Sequence, residues 1–334
     1  MASPAHSQSC GTTHTVQPGE SLSILAQKTL GSIQKFRLIH RANVGLLGSD
    51  PNNLEVGMDV YLPCEGEQVV RNWAPLVDAA TLAELMRGPV QVVDLRDEAE
   101  LIGGVVPGAL SVPYARWQIA DEIGSPAYDR TLSRVIGDAG MKIDEPVVLV
   151  TGTAEPIDAG RAAYVYWVLK SAGVAQVAIL HGGQEAWFNA GHQLAPEPRR
   201  ALGSRLSVST VDNWHAEDAE IEAISGGSIP GMLLDVRAKS DAVSGVANAD
   251  TDALHRLMLR EASGQDSVFA ALGWAKEQRV NWESEPVVGF SETGELAALN
   301  WFYLSEVAQI RNVKFYPKAL DSSKIAAEKF ALAQ

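Results

Sequence analysis

The sequence predicts an α/β protein: two parallel-sheet α/β units behind a small βααβ unit. Three observations carry this prediction. Short apolar runs of the buried-strand kind alternate with helical patterns along most of the chain. The landmarks of that alternation occur twice. "VQVVDLRDEAE" places Asp94-Leu95-Arg96 at a strand end, and "GMLLDVRAKSD" places Asp235-Val236-Arg237 in the same setting. The later strands "PVVLVTG" and "PVVGFSE" end at Thr151 and Ser291, 57 residues after Asp94 (151 − 94) and 56 after Asp235 (291 − 235). Finally, the two cysteines, Cys10 and Cys64, bracket one compact N-terminal segment.

The bulk numbers bound the function. A chain of 334 residues has room for two or three domains at roughly 100–150 residues each. A formal net charge of −14 disfavours nucleic acid or an anionic membrane as the main partner, since both are bound through basic surface. No apolar run reaches the ~18 residues of a membrane-spanning helix, so no transmembrane segment is expected. The start, "MASPAHSQS", is short and polar, and residues 1–12 read as extended or disordered. It carries no signal peptide and has the look of a mature chain given a new Met. Cysteines flanking a small unit suggest a disulfide and an oxidising compartment such as the periplasm. Two unrelated thiols in a cytosolic protein are the alternative.

Residues 13 to 63 read as β-α-α-β. "HTVQPGESLSILAQKTL" is a short strand, a Pro-Gly turn and a helix capped near Glu20-Ser21, with Leu22, Leu25 and Ala26 at helical spacing. "SIQKFRLIHRAN" is a second helix with Phe36, Ile39 and His40 on one side. "SDPNNLEVGMDVYLP" is a turn-rich loop followed by a strand from Met58 to Leu62. So small a unit gains from a disulfide between its flanks.

This stretch, bounded as 13–64, resembles a LysM domain from end to end. It carries V-x-x-G-[DE]-[ST]-L-x-x-[IL]-A, the helix-ending Asn, and P-x-x-[IL]-x-x-G-x-x-[IVL]-x-[IVL]-P. The resemblance implies binding of N-acetylglucosamine-containing glycans, in bacteria usually peptidoglycan. The implied contacts are Gly19, Glu20, Ser21 and Leu22 after the first strand, and Pro51, Asn52, Asn53 and Leu54 before the second. Sugar recognition calls for backbone and amide hydrogen bonds beside apolar surface. Here Lys28, Lys35, Arg37 and Arg41 balance Glu20, Asp50, Glu55 and Asp59. The same loop residues are also ordinary turn formers.

After a polar linker, 65–75, come the two repeats, 76–195 and 206–334, joined by a linker at 196–205. Each active-loop position precedes an Ala-rich helix bearing a Trp, Trp167 or Trp301, and then a short strand, "VAIL" or "VKFY". The first repeat, with "VVDLRDEAELIGGVVPGALSVPYARW" and "VAILHGGQEAWFNAGHQL", resembles a rhodanese domain, and the pair resembles a tandem rhodanese of the bacterial thiosulfate sulfurtransferase kind. The second repeat is more eroded: its G-H-I-P-G-A segment has become "SGVANAD", and residues 250 to 280 replace the familiar middle.

The resemblance implies a loop cysteine that carries sulfur as a persulfide. Thr151 and Ser291 stand in the two cysteine positions, and Glu292 and Glu295 flank Ser291. A hydroxyl forms no persulfide, and the carboxylates would repel an anionic donor. Ser291 reads as a small polar filler in a retired site; an engineered Cys→Ser change and a serine nucleophile are the competing readings. Of His181, His192, His215 and His255, none is marked by a motif as a base. A phosphatase reading fails for want of a loop cysteine and arginine. Asp94–Arg96 and Asp235–Arg237 read as structural pairs, and Trp167, Trp187, Trp214 and Trp301 as core or seam residues. The histidines have no metal-ligand spacing, and the acidic run 215–223 reads as a solvated helix face without a calcium-loop pattern. No metal and no cofactor are expected.

The expectation is therefore a non-catalytic periplasmic scaffold, held on peptidoglycan or another N-acetylglucosamine glycan and docking an unidentified envelope protein or complex. The alternative is a sulfurtransferase or sulfur carrier using another thiol, from a partner or from Cys10 and Cys64. A third option is a small-anion site in the Ser291 loop.

Overall fold

A computed structural model of the chain describes residues 10–48, 50–64, 73–211, 213–237, 247–248, 251, 254–255 and 285–318. The chain divides into two compact units, residues 1–90 and 91–334. Residues 65–72 of the expected linker at 65–75, most of "SGVANAD" and most of 250–280 lie outside the described residues.

In the first unit β1 (Thr12–Thr15) pairs antiparallel with β2 (Asp59–Leu62), and Thr13 faces Tyr61. Between them lie α1 (Leu22–Leu30), α2 (Phe36–Ala42) and a single turn, α3 (Val44–Leu47). Helix α1 begins where it does because the Ser21 hydroxyl accepts the Ile24 N–H, and it ends at Gly31, whose φ is +72°. Val16, Leu22, Leu25, Ala26, Ile39, Leu47, Val60 and Leu62 form the core. Asn43, fully buried, ties the helices to the sheet. Its amide donates to Ile39 O and Tyr61 O, and its carbonyl accepts Tyr61 N–H, all at 2.7 Å. The side chain thus stands in for a neighbouring strand. A disulfide joins Cys10 to Cys64 across the ends of this sheet. A two-residue strand, β3 (Leu76–Val77), and α4 (Ala79–Leu85), capped by Asp78, complete the unit.

The second unit holds the first repeat from Gln91 onward and the whole of the other. The first contains β4 (Gln91–Asp94), β5 (Leu110–Ser111), α5 (Pro126–Asp138), β6 (Val147–Val150), α6 (Pro156–Ser171), β7 (Val177–Leu180) and α7 (Gly183–Asn189). The other contains α8 (Asp218–Ser225), β8 (Met232–Asp235), β9 (Ala247–Asn248), β10 (Val287–Phe290), α9 (Gly294–Trp301) and β11 (Val313–Phe315). Parallel pairings run β7-β6-β4-β5 in one repeat and β11-β10-β8-β9 in the other, the same order twice. Nearly every central strand residue is buried, which is why the runs read as continuously apolar. Helix α9 starts at Gly294, where the missing side chain lets the first turn pass against the carbonyl of Pro317.

Equivalent helices of the two repeats, α6 and α9, pack against each other. That packing is why two expected domains cluster as one unit. Trp167 and Trp301 are fully buried at this seam, and both rings lie within 6 Å of Phe315. Lys170 bonds both carboxylate oxygens of Glu306 at 2.7 Å, with its ammonium 4.6 Å from the Trp214 ring centre, and Tyr166 adds a bond of 2.9 Å to Glu306. Trp187 is a core residue stacked on His192. The acidic run at 215–223 forms most of α8, whose inner face buries Ile221 and Ile224. Part of its charge is matched, Glu220 by Lys314 and Asp218 by Lys318.

Candidate functional site

Each repeat builds a loop between a strand end and a helix start, a place where free N–H groups converge. In the first, Asp94 at the end of β4 is wholly buried and pairs with Arg96 at 2.7 Å. Arg96 also donates to the carbonyls of Glu100 and Gly104, both at 2.9 Å, and to the side chain of Gln184. Each nitrogen of its guanidinium thus bonds a scaffold group. Thr151 is buried, and its carbonyl accepts the Gln184 N–H at 2.8 Å. The neighbouring backbone passes so close that a Cβ on Gly183 would stand 2.7 Å from Thr151 O; Gly183 also has φ +62°. Both facts require glycine there. In the first turn of α6, Asp158 takes the Thr153 hydroxyl at 2.8 Å and its N–H at 3.2 Å, and pairs with Arg161.

The second loop repeats this plan. Asp235 is wholly buried and pairs with Arg237 at 2.7 Å, and Arg237 reaches Glu292 at 3.1 Å. Ser291 is 1% exposed; its hydroxyl donates to the carbonyl of Thr293 and accepts the Thr293 N–H at 3.3 Å. The serine closes a local turn, and among the described residues no histidine bonds to it. The two carboxylates are not bare charges. Glu292 is matched by Arg237, and Glu295 accepts the Tyr114 hydroxyl at 2.9 Å. Burial, reinforced by the Glu295 charge, holds the Tyr114 hydroxyl far above its usual range and pushes Tyr164 up to about 12.

His255 is a link that the sequence left unmarked. It is buried, with Nε2 2.7 Å from Ala154 O in the first loop and Nδ1 2.6 Å from the Tyr303 hydroxyl. A carbonyl only accepts, so Nε2 donates to Ala154 O, while Nδ1 lies in hydrogen-bond range of the Tyr303 hydroxyl. A residue of the second repeat thus pins the loop of the first. Nothing near it in sequence signals this, because the pairing spans 101 positions.

In the first unit the two glycan-loop candidates lie at one end of the β1–β2 pair, where Val16 bonds Gly57 at 2.9 Å and Met58 at 2.8 Å. Gly19 is left-handed and exposed, with φ +82°. Asn52 and Asn53 are exposed. Asn52 bonds Asp50, and Asn53 bonds Leu47 O at 3.1 Å. Pro51 is half-buried, and Leu54 packs against the core from its edge. Two residues act differently from the expectation. Leu22 is 3% exposed and belongs to the core, because it is the first inward position of α1. Glu20 is the hub of an ion network, with His14 at 2.6 Å, Lys28 at 2.8 Å and Gln17 N–H at 3.0 Å. Burial by itself would raise its carboxyl, but these donors together bring it down to about 2. Ser21 is engaged as the helix cap. Among the described residues no group of three His, Cys, Asp or Glu side chains is placed to hold a metal ion, and no helix is long and apolar enough to cross a membrane.

Residues 78–190 match the Rhodanese-like domain family. A thiosulfate sulfurtransferase of Saccharopolyspora erythraea is 24% identical over 64% of this chain and 79% of its own. The thiosulfate sulfurtransferase SseB of Mycobacterium tuberculosis is 27% identical over 48% of this chain, which spans 61% of SseB. Among solved structures, the 3-mercaptopyruvate sulfotransferase SseA of Escherichia coli has the same fold, with a TM-score of 0.60 at 18% identity over 74% of this chain and 99% of its own. An anaerobic ergothioneine biosynthesis enzyme of Chlorobium limicola follows at 0.54 and 16%, over 72% and 66%. The chain therefore carries a rhodanese-like domain and has sulfurtransferase relatives. These findings overturn the expectation that it is not an enzyme: the relatives are named as thiosulfate sulfurtransferases, and the solved structures of the same fold are named as enzymes. The physical reason is that a missing loop thiol removes one way of carrying sulfur, while both Asp–Arg scaffolds that shape the loops remain in place.

Proposed function

We propose that this chain is a rhodanese-type sulfur-transfer enzyme whose sulfur-carrying thiol comes from outside its two loops. The observation that carries the reading is the pairing of intact scaffolds with hydroxyls: Asp94–Arg96 and Asp235–Arg237 hold loops in which buried Thr151 and Ser291 stand at the cysteine positions. Both cysteines of the chain sit in one disulfide of the first unit. Sulfur transfer then needs an acceptor thiolate supplied by a second molecule. That thiolate attacks the outer sulfur of a donor such as thiosulfate, the donor's S–S bond breaks, and sulfite leaves with the electron pair. A persulfide forms on the acceptor, and atoms and charge balance without a further oxidant.

The first unit, in this proposal, holds the enzyme at an N-acetylglucosamine-containing glycan such as peptidoglycan. The support is the LysM-like pattern and the shared end of the two loops. A disulfide and that glycan together favour a periplasmic location, with an envelope protein as the thiol-bearing partner.

Sulfite release from thiosulfate tests the enzymatic reading, measured on the whole chain with and without an added dithiol such as dithiothreitol. Release that depends on the chain and on the dithiol is expected, and a Cys10→Ser/Cys64→Ser chain should retain it. No release above the rate of dithiol alone would sink the proposal. Activity lost with the two cysteines would move the sulfur-carrying role to them. Pull-down on insoluble peptidoglycan tests the attachment separately.

A further inference from the structure

The linker between the repeats is pinned along α5. Ser204 N–H bonds Gly137 O at 2.9 Å, Val208 N–H bonds the Ser133 hydroxyl at 2.9 Å, and the Thr210 hydroxyl bonds Asp129 at 2.7 Å. A Cβ on Gly140 would stand 2.6 Å from the Ala201 side chain, so this end of the helix is shaped to receive the linker. Beside the contact lies an open groove of about 840 Å³, lined by Arg130 and Arg134 of α5, by Arg205 at the end of the linker and by Ser207 and Ser209 just after it. All three arginines are exposed. None is in an ion pair among the described residues, whereas the groove's acids are engaged, Asp129 with Thr210 and Asp138 with Arg116 at 3.4 Å. Near the groove the linker holds Leu202 at 94% exposure.

We propose that this groove docks an extended acidic segment of a partner polypeptide. Three unmatched guanidinium groups on a chain of net charge −14 make a local cationic site on an otherwise anionic protein, which selects and orients an acidic partner. The spacing fits an extended chain. Arg130 and Arg134 are four helical residues apart, about 6 Å along the axis. Alternate residues of a strand lie about 6.6 Å apart, so carboxylates at i and i+2 meet the two arginines together. Guanidinium forks hold carboxylates in a defined geometry. Leu202, exposed on a linker that is hydrogen-bonded to α5 two residues later, supplies an apolar contact at one end. A lone oxyanion would use one arginine and leave both the length of the groove and Leu202 unexplained. This proposal stands independently of the sulfur-transfer reading.

Fluorescence anisotropy on the whole chain tests it, with the labelled peptide Leu-Gly-Glu-Gly-Glu-Gly-Glu and its Lys-for-Glu counterpart. The acidic peptide should bind and the basic one should not. Binding should weaken several-fold when salt rises from about 0.05 to about 0.3 M. Arg130→Ser/Arg134→Ser should cost about tenfold or more, and Leu202→Ser a smaller loss. Both variants alter exposed side chains, and the salt series reads the same interaction on the unaltered chain. Equal binding of the two peptides, or no loss in the arginine variant, overturns the proposal. So does full displacement of the peptide by millimolar sulfate, which would mark a small-oxyanion site. A dimer of the free chain that the arginine variant splits would also overturn it, by making a second copy the occupant.

Discussion

Gly160 of α6 sits so close to the backbone of Glu295 in α9 that a Cβ on it would stand 2.7 Å from the Glu295 carbonyl oxygen. The seam between the repeats is closed at a glycine. Gly160→Ala should therefore push the helices apart and destabilise the second unit by roughly 1–3 kcal/mol. Gly103, with nothing within 4 Å, is the control. Urea denaturation followed by tryptophan fluorescence reads both, and equal midpoints would refute the close approach.

The Tyr114–Glu295 hydrogen bond crosses the same seam at 2.9 Å. Tyr114→Phe removes a donor from a carboxylate and should cost roughly 1.5–3 kcal/mol, seen as a lower urea midpoint. An unchanged midpoint would mean that water replaces the phenol at no loss.

The Asp–Arg pairs differ in depth. Arg96 serves Asp94, two backbone carbonyls and Gln184. Arg237, with 12% of its side chain exposed against 7% for Arg96, bonds Asp235 and the exposed Glu292. Arg96→Met should cost roughly 3–5 kcal/mol, as expected for breaking a buried pair, and Arg237→Met less. Differential scanning calorimetry of the two variants ranks them; the reverse order would contradict the assignment.

In the first unit, Asn43→Ala strands the buried N–H and C=O of Tyr61, at a cost of roughly 2–4 kcal/mol. Loss of the unit's protection from proteolysis, with the disulfide intact, is the readout.

Glu20 links the stability of that unit to pH. Its carboxyl titrates at about 2 when folded against an ordinary 4.5, because bonds from Lys28, His14 and Gln17 outweigh the opposing effect of burial. A folded-state value below the unfolded one stabilises above about 4.5, and that contribution fades as pH falls from there to about 2. Thermal melts of the wild type should drop across this window, and Glu20→Gln should flatten the drop. Parallel pH profiles for the two would show that other carboxylates govern acid unfolding.

Much of this protein was written in local pattern. The β-α-α-β order of the first unit followed from a Pro-Gly turn, a Ser cap at Ser21 and helical spacing, all of them short-range signals. The repeat was legible because buried parallel strands must be apolar along their whole length, so Asp94 and Asp235 stood out at the strand ends. The absence of a thiol at Thr151 and Ser291 was equally plain. Other features depended on residues far apart in the chain. Leu22 read both as a helix position and as a glycan contact until the packing of α1 placed it in the core. His255 became a clamp on the first loop only when Ala154 and Tyr303 were brought to its two nitrogens. Glu292 and Glu295 read as repulsive charges until the fold supplied Arg237 and Tyr114. Sequence by itself determined which segments become strands and helices, since those follow from neighbours a few residues away. Tertiary structure alone decided which charges are matched and which faces touch, because burial and pairing depend on groups that chain order does not bring together.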